Sequence, residues 1–386
     1  MSEFRTIREL CSVVVDCPHS TPKWTANGKI VIRNKNIKHG KIDFSSPSYT
    51  DDEHFAQRIK RAKPQPGDII ITREAPIGDV GMIPENTECC LGQRMVLLRA
   101  NQSVCDNFYL LYSLQSLYVQ HQISWSKGTG TTVSNLRIPH LEQIQIPYLP
   151  LEQQAKISSV LRALEEKIEN NRRLNDNLQQ QAAALFSSLY DRTNTEVRFT
   201  DLIQILGGGT PKTGENTYWN GNIAFFTPKD VGTPYTLITE KTITEEGLSH
   251  CNSRLYPVNT VFVTARGTVG KVGMSGVPMA MNQSCYALVG KETHQLLVYF
   301  YTLKAVDRLK HKASGAVFDA ITTRDFESEQ IMKLSDDDAK AFLCIAEPMF
   351  QKVLNNCIEN LRLSTLRDSL LPKLMSGEVD VSAVQL

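Results

Sequence analysis

The sequence predicts an α+β protein: two β-rich domains alternating with two long helices, the helices pairing as an antiparallel coiled coil, the whole carrying an internal pseudo-twofold repeat. Three observations predict it. The segment IIITREAPIGDVGM (Ile69 to Met82) returns as VFVTARGTVGKVGM (Val261 to Met274), identical at five of fourteen positions, where background residue frequencies give about one. Short β-branched or aliphatic runs set off by Gly, Pro and Asn fill the first part of each half. A long stretch with helical apolar spacing then closes each half.

Residues 1–150 form the first β-rich domain, with GKIVIRN, GDIIIT and GDVGMI as its strand signals, and a modest helix is expected over Asp106 to Gln122, which lacks Gly and Pro. Residues 151–192 follow as the first long helix. No Gly or Pro occurs from Leu151 to Tyr190, and Ile157, Leu161, Leu164, Ile168, Leu178, Ala182, Leu185 and Leu189 recur in alternating steps of four and three, with Asn171 and Asn175 in the register between. That is the spacing of a coiled-coil seam. At a rise of ~1.5 Å per residue such a helix is roughly 60 Å long, too long to stand without a partner for its stripe.

Residues 193–335 repeat the β-rich plan with GNIAFFT, NTVFVTA and GKVGM, and a helix is expected over Lys291 to Lys312. Residues 336–386 supply the second long helix and a tail. Its apolar positions include Ile345, Met349, Val353, Ile358, Leu361, Leu366 and Leu370. Pro348 is expected to delay or kink its start, and Pro372 to disturb its last turn. Further collinear matches tie the halves together: Thr21-Pro22-Lys23 with Thr210-Pro211-Lys212, Gln93 with Gln283, Gly130 with Gly315, and Ile168-Glu169-Asn170 with Ile358-Glu359-Asn360.

A chain of 386 residues exceeds the ~250–300 at which one core stops growing. Hydrophobic residues at 41% exclude a disordered chain. No run reaches the ~18–20 apolar residues of a membrane span, and MSEFRTIREL lacks the apolar region of a signal peptide, so a cytoplasmic location is expected. The nine cysteines, none in a CxxC, read as reduced, scattered thiols. The net charge of +1 hides an uneven spread: +3 over 1–150, 0 over 151–192, +1 over 193–335 and −3 over 336–386.

Catalytic signatures are missing. There is no GxxxxGK[ST], HExxH or GxSxG, and no His pair at zinc-ligand spacing backed by Cys. Gly207-Gly208-Gly209 precedes Thr210-Pro211, which suits a turn better than a phosphate cradle, and Gly78/Gly270 and Gly81/Gly273 read as strand–turn positions. A binding protein is expected, not an enzyme.

These residues resemble a known family. VDCPHSTPKW (Val15 to Trp24) with GKIVIRNKNIKHGKIDF (Gly28 to Phe44), GGGTPKTGENTYWNGNIAFFTPKDV (Gly207 to Val231) and LRDSLLPKLMSGEVDVS (Leu366 to Ser382) look like the specificity subunit of type I restriction–modification systems. The resemblance covers essentially the whole chain. It implies a noncatalytic subunit whose two β-rich parts are target recognition domains, each reading one half of a bipartite site on double-stranded DNA. The coiled coil would set the gap between the halves and dock two adenine methyltransferase subunits, with motor-nuclease restriction subunits joining in the full complex. No cofactor is implied for this chain: S-adenosylmethionine would belong to the methyltransferase partner. Pro348 departs from this pattern, so a helix pair shortened or kinked at that point is expected. The rival reading is a structural adaptor whose coiled coil scaffolds protein partners.

Base edges are read by Arg, Asn and Gln, and phosphates by Lys, Arg, Ser and Thr. Candidates of that kind lie next to strand ends in the first domain: Lys23, Trp24, Arg33, Asn34, Lys35, Arg73, Gln93 and Arg94. A Gly-flexed loop adds Lys127, Thr129, Thr131, Thr132 and Asn135. The second domain offers Lys212, Lys229, Arg266, Gln283, Ser284, Lys312, Ser314 and Thr322. The halves differ at Arg73/Ala265, Glu74/Arg266 and Arg94/Ser284, so two different half-targets are expected.

Overall fold

The β-branched runs of the sequence become strands, and most strands of the first domain have a counterpart in the second. The computed structural model describes residues 3–38, 40–125, 135–232, 234–312 and 320–384. They fall into two units, Met1–Glu166 with Leu363–Leu386, and Lys167–Arg362. In the first unit the main sheet runs in the order Cys11–Asp16, Met95–Ala100, Ile69–Thr72, Val80–Met82, each pair antiparallel. In the second the order is Ile203–Gly207, Cys285–Gly290, Val261–Thr264, Val272–Ser275, again antiparallel, with Tyr235–Thr236 added in parallel at the edge.

A smaller sheet repeats as well. Ser48–Thr50, Lys29–Ile32 and Cys89–Leu91 match Lys241–Ile243, Trp219–Phe226 and Met279–Met281, and in both the last pair is parallel. The pairs Glu3–Thr6 with Gln145–Tyr148 and Glu196–Arg198 with Gln330–Met332 close each plan. The duplication is therefore one of topology and register, beyond the fourteen-residue match.

That match has a local cause. The Thr72 carbonyl accepts from the Gly78 N–H at 2.9 Å and its hydroxyl from the Asp79 N–H at 2.9 Å, while Thr264 receives the same two bonds from Gly270 and Lys271, each at 2.9 Å. Gly78 and Gly270 turn with φ of 87° and 74°, a region that side chains with a Cβ adopt with strain. One Thr–Gly turn is used twice.

Both long helices form where the apolar spacing places them, at Leu151–Tyr190 and Asp336–Ser376. Each contributes one part to each unit. Ile157 and Leu161, with Leu374 and Met375, join a core of Ile7, Ile69, Ile71, Val96 and Leu98 in the first unit. In the second, Phe186 and Leu189 meet Phe342, Ala346 and Phe350 in a core with Phe300 and Tyr301. The pairing is antiparallel: Asn171 bonds to Asn360, and Asn175, one turn later, to Asn356, one turn earlier.

Three expectations need correction. The helix expected over Asp106 to Gln122 is two helices, Asn107–Gln115 and Leu117–Trp125, because Ser116 is extended (ψ 147°) and its hydroxyl donates to the Ser113 carbonyl at 2.6 Å. Pro348 does not delay the second long helix, which begins at Asp336. Both Pro348 and Cys344 are exposed, so the carbonyl left without an N–H donor faces water and the ring crowds the solvent side. Ile345 and Leu366 are 48% and 45% exposed, since the helix turns Phe342, Ala346, Phe350 and Val353 inward instead.

Candidate nucleic-acid interface

In the first domain, strand Lys29–Ile32 runs into a single tight turn at Asn34–Asn36. Buried Asn36 builds it: its carbonyl oxygen accepts from the Arg33 N–H at 3.0 Å and its amide donates to the Asp43 carbonyl at 2.9 Å. Arg33 and Lys35 are left exposed, with Asn34 half-buried. The neighbouring parallel strand Cys89–Leu91 delivers Gln93 and Arg94 beside them. Gln93 donates to the His19 carbonyl and to the Thr21 hydroxyl, fastening the loop that bears Lys23 and Trp24.

The result is a cleft of about 320 Å³ lined by Pro22, Trp24, Arg33, Asn34, Lys35, Gly92, Gln93 and Arg94. Six residues expected from the sequence to face DNA thus meet in one place. The Arg33 guanidinium lies 5.0 Å from the Trp24 ring centre, a cation–π arrangement. Arg94 pairs with Glu74 at 3.1 Å and Lys23 with Asp51 at 3.3 Å. Beside Asp51, the His54 backbone N–H, then its ring, hold the carboxyl low, at about 2.

Other expected residues are engaged internally. Arg73 grips Asp16 with bonds of 2.9 and 2.8 Å, also donates to Asn135 and the Leu136 carbonyl, and has a side chain only 11% exposed. Asn135 in turn donates to Glu74 at 2.7 Å. Lys127, Thr129, Thr131 and Thr132 lie outside the described residues, as do Ser314 and the Gly130 and Gly315 loops.

The second domain rebuilds the face on the same frame. The Asp230 carboxylate accepts from the Thr227 N–H at 2.8 Å, as Asn36 does from Arg33, which makes Lys229 the positional counterpart of Lys35. The Thr210 hydroxyl bonds to Gln283, as Thr21 does to Gln93. Lys212, Lys229, Arg266 and Gln283 are exposed and Ser284 half-buried; Lys229 pairs with Glu240 at 3.7 Å. Lys312 is tied to the wholly buried Glu329 at 2.5 Å, and the Thr322 hydroxyl bonds to Asp325 in a helix cap. Gly208 and Gly209 sit where a Cβ would strike the backbone of Asn282 and Asn252, so this run serves close backbone approach at a turn.

Sequence reasoning missed Arg58. On the buried side of helix Asp52–Arg58, it donates to the carbonyls of Leu91 (2.7 Å), Ser20 (2.9 Å), Gly92 (3.0 Å) and Pro18 (3.1 Å), clamping the Trp24 loop to the strand of Gln93. The available signal was its spacing of three from Phe55 on one helix face. Among the described residues no group of three metal-ligating side chains comes together, and no helix is long and apolar enough to cross a membrane.

Comparison with known proteins gives this arrangement relatives. The family model described as "Type I restriction modification DNA specificity domain" matches twice, over residues 3–180 and 192–333. The MjaIX specificity subunit of a type I restriction enzyme from Methanocaldococcus jannaschii is 23% identical over 342 residues, 82% of this chain and 78% of that protein. The HindI specificity subunit from Haemophilus influenzae is 28% identical over 186 residues, 47% of this chain and 40% of its own length. Among solved structures, a type I restriction–modification S subunit from M. genitalium shares the fold with a TM-score of 0.60 at 18% identity, covering 96% of this chain and 95% of that one.

Proposed function

The chain belongs to the type I restriction–modification DNA specificity family, and on that premise we propose that it is a noncatalytic subunit whose two domains read the two halves of an asymmetric bipartite DNA site. The observation that carries this is the doubled face: one frame of Thr21–Gln93 and Asn36 in the first domain, Thr210–Gln283 and Asp230 in the second, bearing different side chains at matching places. A shared frame with exchanged tips is what reading two sequences with one fold requires.

In this reading the helix pair fixes the gap between half-targets, roughly 5–8 base pairs within a helix of ~60 Å. It also docks two methyltransferase subunits, which hold S-adenosylmethionine, and motor-nuclease subunits join them in the complete assembly. Leu174, Ile345 and Leu366, 41%, 48% and 45% exposed on the long helices, are apolar contacts of the kind a partner would cover.

Mapping methylated adenines in cells carrying this chain and its type I methyltransferase tests the proposal. One bipartite motif with two different halves is expected; two identical halves, or no sequence-specific methylation, would refute it. Lengthening both helices by one matched turn within Leu161–Leu185 and its opposite stretch should widen the gap, and an unchanged gap would sink the spacer role.

A further inference from the structure

The repeat sorts the polar groups of the candidate interface into two kinds. Lys23 and Lys212 occupy matching places, as do Lys35 and Lys229. A contact that both domains keep, whatever each reads, is suited to phosphate, which carries no sequence. Arg33/Thr227, Asn34/Pro228 and Arg94/Ser284 differ on the same frame, as groups that read bases must.

Of the first domain's three, two are already engaged. The Asn34 amide donates to the carbonyls of Glu74 at 2.6 Å and Ala75 at 3.4 Å, and Arg94 is paired with Glu74. Arg33 has no ion-pair partner among the described residues. Its guanidinium is carried on Trp24, its backbone N–H is fixed by Asn36, and it borders the open cleft. A phosphate contact needs no such platform. A planar fork held at a set angle loses less rotamer freedom on binding, and its paired N–H groups match the O6 and N7 acceptors of guanine, the only base with two acceptors on its major-groove edge.

We propose that Arg33, braced on the Trp24 indole, reads a guanine in the half-target of the first domain. This rests on the reading of the chain as a DNA sequence-recognition subunit, and the experiment separates the two. The full chain with its methyltransferase is expressed as wild type, Arg33→Ala, Arg33→Lys and Lys35→Ala, and methylated adenines are mapped. For both Arg33 variants, one position that is guanine in the wild-type motif becomes degenerate in one half-target, the other half unchanged; if Arg33→Ala fails to assemble, Arg33→Lys carries the test. Lys35→Ala lowers methylation at every site with the motif intact. With the purified complex, replacing that guanine by 7-deazaguanine weakens wild-type binding roughly tenfold or more and Arg33→Ala binding not at all. An unaltered motif in the Arg33 variants, an even loss across all sites, or a first half-target without guanine overturns the assignment. Absence of any sequence-specific methylation by the wild type would instead overturn the underlying reading.

Discussion

Arg58 donates to four backbone carbonyls on two chain segments and pairs with no carboxylate among the described residues. Removing it leaves buried acceptors unpaired at about 1 kcal/mol or more each, so Arg58→Met should lower stability by roughly 2–4 kcal/mol in urea denaturation, and a loss below about 0.5 kcal/mol would refute the clamp. The helix that presents it is capped by Asp51, whose carboxylate accepts the His54 N–H at 2.9 Å. Its folded pKa of about 2 lies below the ordinary 3.8. The stabilisation is thus complete above the unfolded value and is lost as pH falls from about 4 toward 2. Asp51→Asn, which can still cap, should show a shallower acid loss than wild type; equal slopes would refute the link. At this scale the sequence was half legible. Residue type and position next to strand ends single out Arg33, Lys35 and Gln93, which the fold brings to one cleft, but do not tell Arg73 from them: its engagement depends on Asp16, fifty-seven residues away. Arg58 was hidden because a buried arginine satisfied by carbonyls has no partner in the sequence pattern.

The long helices were the most legible elements, since 40 residues of regular spacing outweigh any local ambiguity. What the spacing could not give was the seam of the second helix, where apolar residues are frequent enough to support two stripes and the partner decides between them. The buried asparagines mark that choice. Asn356 donates to Asn175 at 2.7 Å while its own side-chain oxygen has no hydrogen-bond partner among the described residues. Such a pair fixes register at a cost in stability. Asn175→Leu alone should destabilise, because it strands the Asn356 amide, whereas Asn175→Leu with Asn356→Leu should melt at or above the wild-type temperature. A double variant less stable than the single would count against this account. Elsewhere along the chain the short helices were misjudged at Ser116, where one hydroxyl-to-carbonyl bond breaks a run whose composition reads as continuous.

Across the whole molecule the duplication was visible because a Thr–Gly turn and a handful of frame residues kept their places. The sheets built around them, matched in strand order and register apart from the added edge strand Tyr235–Thr236, share too few identities to be aligned by eye. That equivalence has a consequence for target choice. A chain with residues 193–335 in both domain positions should direct methylation to a site whose two halves are the wild-type second half-target; retention of the first half-target would show that the domains do not read independently.

The first unit is completed by residues 363–386, whereas the second is one uninterrupted stretch, 167–362. Leu374, Met375 and Val381 fill the same core as Ile7 and Ile69. During synthesis, then, the unit that starts first is the one whose last part is made latest, since its core needs residues 363–386. Damage within residues 363–386 would be felt in a core built largely from the first 166 residues, far away along the chain.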